Sequence, residues 1–298
     1  MQSCRLDRIA PVGVISASIC FGLVPWFSKG LTDAGLAPHA VAFARYAFAA
    51  LVLGPLLIRE RTAWQAILWA LAAGAMMGLG WIGYVSALQS LPAATVGVLY
   101  MTYPSFTLAV AWIVFRDTPR PRAVIAAALI LTAAAIAGGA VELAGGGLQT
   151  MLIALTAPLG FAIGITVLVH RLGPLSALAR VAGVSLGSLI GLAPLMAGST
   201  MVEITPPTPL AWAYLAGIGL LSALVPQLIY VICSPRIGTA RTAVLGSVEL
   251  PTMIAVGYLA LGQAVGLREA LACLLIVGAM VLAQQGAATP RSMAADRS

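Results

Sequence analysis

The chain has 298 residues, of which 61% are hydrophobic and only 8% charged, with a formal net charge of +7. Soluble domains carry about a quarter charged residues, and a single core of this size could not hide so much apolar surface behind so sparse a charged exterior. An ordinary soluble domain is excluded, and because the basic residues are spread between apolar runs, so is a nucleic-acid-binding patch.

Ten apolar windows follow one another at 11–31, 38–58, 63–88, 92–114, 121–141, 148–170, 175–197, 209–232, 239–262 and 266–286. Each approaches the ~20 residues with which a helix crosses ~30 Å of hydrocarbon. Backbone groups in lipid must be satisfied internally, so runs of this length are helices. The expected fold is an all-α polytopic membrane protein of ten transmembrane helices. The first window follows Arg5 and Arg8 but is long and runs into "PWFSKG" without a small-x-small cleavage site, so it is read as a membrane helix rather than a signal peptide. Pro25 interrupts it, with Trp26 alongside. The second window starts at Pro38 and carries Arg45 about 10 Å from one end. Arg45 either snorkels outward or serves as a carboxylate clamp or a gate ion pair with Glu249 or Asp33.

Windows three and four bring Trp81, Tyr84, Tyr100, Thr102 and Tyr103, with Pro104 marking a bend. Window six holds Pro158 and Phe161; window seven opens with Arg180, read as snorkelling to its nearer end. Pro226 and Gln227 lie in window eight. Window nine contains "GSVELPTM", in which Glu249 falls ten residues into the run, near the bilayer midplane. A charged acid there costs roughly 2.5–3.5 kcal/mol and is a functional candidate by default. Pro251, two residues later, is expected to kink the helix and turn the Ser247 carbonyl toward a substrate. Small-residue ridges at Gly74 and Gly78, Gly160 and Gly164, and Gly183, Gly187 and Gly191 predict close helix contacts. These ridges leave open whether the chain works alone or as a homodimer. Cys4, Cys20, Cys233 and Cys273 lack metal-ligand spacing and read as small hydrophobes; no metal or cofactor is expected.

With the N-terminus inside, 12 of the 16 Lys and Arg fall in cytoplasmic segments, while Lys29 and Arg268 lie outside. The positive-inside rule therefore puts both termini in the cytoplasm. The halves also resemble each other. "YVSALQSLPAAT" at 84–95 parallels "YVICSPRIGTAR" at 230–241 at an offset of 146, and Pro104 parallels Pro251 at 147. Five helices plus five, an odd number each, make the second half run through the membrane inverted, an arrangement typical of secondary transporters. The expected halves are 1–146 and 147–290, followed by a tail at 291–298. Gating bends are expected at Pro25, Pro104, Pro158, Pro226 and Pro251.

This five-plus-five pattern, with "YVSALQSLPAAT…YP" and its counterpart ending in "ELP", resembles the drug/metabolite transporter superfamily and, within it, the ten-helix bacterial exporters of aromatic and other amino acids. The resemblance implies export of amino acids through the bacterial inner membrane. Many members of that superfamily place a Gly-Glu pair after the fourth and ninth helices, where this chain has Phe115-Arg116-Asp117 and Gly262-Gln263. Candidate substrate-binding residues are Glu249, Arg45, Trp81, Tyr84, Tyr100, Thr102, Tyr103, Phe161, Gln227 and Ser247. Other metabolites or drugs are alternative cargo. A channel lacks the expected like-residue rings. An intramembrane enzyme lacks paired acids, a metal cluster or a P-loop lysine.

Overall fold

The computed structural model describes residues 2–143, 148–246 and 248–285. Its helices are α1 (Gln2–Gly22), α2 (Val24–Asp33), α3 (Pro38–Leu53), α4 (Leu56–Arg59), α5 (Trp64–Ser90), α6 (Ala93–Tyr100), α7 (Tyr103–Phe115), α8 (Pro121–Leu143) and α9 (Leu148–Arg171). They continue as α10 (Ala177–Ala197), α11 (Met201–Ile204), α12 (Pro209–Ala216), α13 (Val225–Gly246), α14 (Glu249–Leu259) and α15 (Leu267–Gln285). A 3-10 turn at Arg61–Ala63 precedes α5, and a π-helical stretch, Gly217–Leu224, joins α12 to α13. Helix occupies each of the ten apolar windows. Among the described residues, six stretches are long and apolar enough to cross a membrane: Ile9–Asp33, Arg61–Ser90, Ala93–Phe115, Gln149–Arg171, Ala177–Ala197 and Pro209–Tyr230. Pro38–Leu53 and Pro121–Ala137 are shorter apolar helices. This is a multi-pass membrane protein.

Proline acts here differently from the expected kinks. Pro25 is the second residue of α2, Pro104 the second of α7 and Pro251 the third of α14. In a first turn the missing N–H would have had no intrahelical partner anyway, so these prolines open new helices after a break. Pro158 does lie inside α9, and Pro226 follows the π-helical stretch. The window 239–262 is therefore not one helix: Glu249 stands at the start of α14, not ten residues into an unbroken rod. Nor is α13 straight. The Tyr230 hydroxyl lies 3.1 Å from where a Cβ on Gly246 would sit. Sixteen residues of straight helix would separate the two by ~24 Å, so the path doubles back. The expected role of the Ser247 carbonyl falls outside the described residues.

α5 is the packing axis, laid against α9 on one side and α10 on the other. A Cβ on Gly74 would meet the Val184 carbonyl oxygen at 2.0 Å, and one on Gly187 the Leu71 carbonyl oxygen at 2.1 Å. Gly160 likewise faces the backbone of Met76. Ser188 donates to the Gly74 carbonyl at 2.8 Å. The glycine ridges thus bring helices of one chain into backbone contact.

The end of the molecule that carries the 34–37 and 198–208 loops is sealed. Leu31, Leu36, Leu88, Leu91, Leu250 and Met253 are fully or almost fully buried there. His39 Nε2 meets the Ser199 hydroxyl at 2.6 Å, the Ala37 N–H donates to the Glu203 carbonyl at 2.9 Å, and the Ala93 N–H donates to Gln263 Oε1 at 2.8 Å. The Thr200 N–H, 2.8 Å from Glu203 Oε2, holds that carboxyl below the usual carboxylate range. Helices α7 and α14 also end alike. Arg116 and Gly262 have φ of 57° and 64°, and the following N–H, of Asp117 or Gln263, returns to the carbonyl of Ala111 or Gly257. A left-handed residue is a common helix stop.

Candidate functional site

A cavity of about 350 Å³ lies where the helix breaks converge. Its floor is aromatic. Trp81 comes from α5, Tyr100 from the end of α6, Tyr103 from the start of α7 and Phe161 from α9. Ring centroids are 5.7 Å apart for Trp81–Tyr100, 5.8 Å for Tyr100–Tyr103 and 5.0 Å for Tyr103–Phe161. Spacings in this range suit edge-to-face and tilted ring pairs. On the opposite wall Phe21 and Tyr230 pair at 6.2 Å. Tyr100 and Tyr103, three residues apart and so on one side of the chain, line the cavity from either side of the α6–α7 break, and Met101 between them lines it too.

Two charges face this space. Arg45 is only 8% exposed, and its guanidinium carbon lies 3.9 Å from the Trp81 ring centroid. That cation–π contact offsets roughly 0.5–2 kcal/mol of the cost of burial. Its Nη1 has no hydrogen-bond partner. The hydroxyl of Tyr46, the next residue, is likewise buried and unpartnered, as is Oε1 of Gln227 from α13. Leaving such a group unsatisfied costs about 1–3 kcal/mol each, a cost that a bound polar molecule would remove. Glu249 supplies the negative charge from the first turn of α14. It shares the cavity with Arg45 without a direct ion pair between the two.

Seven of the expected binding residues thus come together: Arg45, Trp81, Tyr100, Tyr103, Phe161, Gln227 and Glu249. Two do not. Tyr84 packs behind Trp81, ring centroids 4.6 Å apart and planes tilted by 54°, fully buried in the sealed half, with its hydroxyl 3.9 Å from Met253 Sδ. Thr102 is turned away, its hydroxyl donating to the Leu99 carbonyl at 2.7 Å within the helix break. Ser247 lies outside the described residues. Snorkelling of Arg45 is overturned by its burial against Trp81, and pairing with Asp33 by the 2.7 Å contact of Asp33 with Lys29. Arg180 turns to the Leu175 and Gly173 carbonyls near its helix start. Trp26 packs on Phe27 and Tyr214, away from the cavity. Sequence reading missed Tyr46, Tyr230, Ser18 and Met77. Tyr46 and Tyr230 carried a signal, the first as the neighbour of Arg45 and the second as the repeat counterpart of Tyr84.

A cavity with opposite charges, unpartnered polar atoms and an aromatic floor is equipped to hold a small polar molecule inside a membrane protein. Residues 8–139 match the EamA-like transporter family. That family lies within the drug/metabolite transporter superfamily, and the match runs from α1 into α8, less than half of the chain. No curated protein matches the chain. A solved structure described as "Crystal structure of protein" is similar at 17% identity and a TM-score of 0.60, covering 93% of this chain and 97% of that one. The likeness to that structure is one of fold.

Proposed function

We propose that the protein is a secondary transporter that exports amino acids, aromatic ones included, across the bacterial cytoplasmic membrane by alternating access. The observation that carries this reading is the placement of Arg45 and Glu249 on one aromatic-walled cavity without pairing to each other. A zwitterion would offer its carboxylate to Arg45 Nη1 and its ammonium to Glu249, with Gln227 and Tyr46 completing the hydrogen bonds. The ring floor would accept aromatic or aliphatic side chains. Charge-assisted contacts of this kind are among the stronger hydrogen bonds.

The proposed architecture is ten spans in two inverted five-helix repeats, 1–146 and 147–290, an arrangement suited to alternating access. The reading is supported by the matched helix openings at Pro104 and Pro251 and by the matched left-handed stops at Arg116 and Gly262. With both termini cytoplasmic, the sealed leucine-rich end faces outward. The cavity reaches the other way, past Met77 and Leu168 toward the arginine-bearing ends of α5 and α9, so this conformation faces the cytoplasm.

Counterflow in proteoliposomes tests the proposal. Radiolabelled amino acid should accumulate transiently against unlabelled amino acid inside, and amino acids should compete better than sugars or cationic drugs. Glu249→Gln should reduce exchange at least tenfold in protein that elutes as a folded species. Wild-type exchange by that variant would remove Glu249 from the site, and competition by drugs or other metabolites alone would reassign the cargo.

A further inference from the structure

Beside the central cavity lies a second, apolar hollow of about 380 Å³ between α7, α8 and α15. Pro104, Thr107 and Ala111 line it from α7, Ala126 and Ile130 from α8, and Ala279 from α15. It offers almost nothing to a polar ligand. The Thr107 hydroxyl is already committed to the Tyr103 carbonyl at 2.8 Å. On both flanks large apolar side chains face outward, with Ile113 73% and Ile125 52% exposed. In a membrane protein such flanks meet lipid. The groove also shares Tyr103, Ile165 and Met280 with the central cavity. The two spaces are therefore neighbours, with these three side chains at their common border.

We propose that the groove is the side arm of one bent site and takes the hydrocarbon tail of a single-chain amphiphile whose zwitterionic head sits between Arg45 and Glu249. The proposal rests on the amino-acid reading for the head and adds the tail. Its physical reason is adjacency, since the same three side chains border both spaces. A tail that enters through the groove stays among apolar groups while the head moves into the polar cavity, so no hydrocarbon crosses water. Alanines at 111, 123, 126 and 127 keep the groove wide enough for a chain. It runs from the level of Tyr103 toward the arginine-bearing loop at 116–122, which places its entry in the leaflet on that side.

The test is a series of 2-aminoalkanoic acids with side chains from butyl to decyl, competing in counterflow. Half-inhibition concentrations should fall about fourfold per added methylene, the factor for moving one CH₂ out of water. Simple partition into the bilayer produces the same trend, so the deciding comparison uses groove-filling variants. Ala111→Phe and, separately, Thr107→Phe should flatten the dependence on chain length while exchange of short amino acids, which do not reach the groove, continues. An equal slope in variants and wild type would overturn the proposal. So would the absence of any slope, which would leave the groove to bilayer lipid. The same series, scored by thermal stabilisation of the protein in nanodiscs, reads the groove without transport. If short amino acids fail to exchange in wild type while long-chain stabilisation remains sensitive to Ala111→Phe, the amino-acid reading fails and the groove stands.

Discussion

Arg116 sits in the left-handed region with φ 57°, where its Cβ crowds the carbonyl, whereas its counterpart at the end of α14 is Gly262. The conformation costs an L-residue about 1–2 kcal/mol, and the extra unfolded-state freedom of glycine returns about 0.4–1 kcal/mol of that. Arg116→Gly is therefore expected to stabilise the protein by about 0.5–1 kcal/mol, seen as a higher melting temperature in detergent; an unchanged or lower value would mean the Arg116 side chain contributes more than its backbone costs. Arg45 presents the opposite trade. Its buried guanidinium has an unpartnered nitrogen and rests on the Trp81 ring without a direct ion pair, and burying an unpaired charge carries a cost that an apolar side chain of similar length does not. Arg45→Met should keep or raise the melting temperature and abolish amino-acid exchange. A variant that melted lower and still transported would make Arg45 a strut. The charge at 45 was visible in the sequence, but not its direction, because snorkelling and burial differ only in what stands next to the side chain.

At the scale of helices, contact depends on glycine and position on proline. The ridges at Gly74 and Gly187 were legible from spacing alone, since only small residues let helices approach to backbone distance. Adding a Cβ at Gly187 brings it 2.1 Å from a carbonyl oxygen, which cannot swing aside as a flexible side chain could. Gly187→Ala should destabilise by about 1–3 kcal/mol, while Gly173→Ala, with nothing within 4 Å of its Cβ, should leave the melting temperature unchanged. Equal effects at the two positions would refute the packing argument. The prolines read less well. A proline signals an interrupted helix, but the same residue fits a kink in a continuing rod or the first turn of a new one. Pro104 and Pro251 turned out to be of the second kind. The consequence is large for Glu249, which a continuous helix would bury mid-rod and which the break instead puts at a helix start facing the cavity.

For the molecule as a whole, the state is defined by which end is sealed. If Glu249 carries a proton through the conformational cycle, an imposed pH gradient should drive uphill amino-acid efflux from proteoliposomes, and Glu249→Gln should lose that response. Efflux indifferent to the gradient in wild type would point to facilitated diffusion. Composition and the lengths of the apolar runs by themselves determined that this is a multi-pass helical membrane protein, because lipid leaves a backbone few ways to satisfy its hydrogen bonds. The sequence also named most of the cavity's charged and aromatic residues, since charge is costly in hydrocarbon and stands out there. Only the tertiary structure decided that Tyr84 and Thr102 turn away while Tyr46 and Tyr230 turn in. Whether a side chain meets a wall or a hollow depends on the neighbouring helices, and those are set by contacts such as Gly74 on Val184, residues 110 positions apart in the chain.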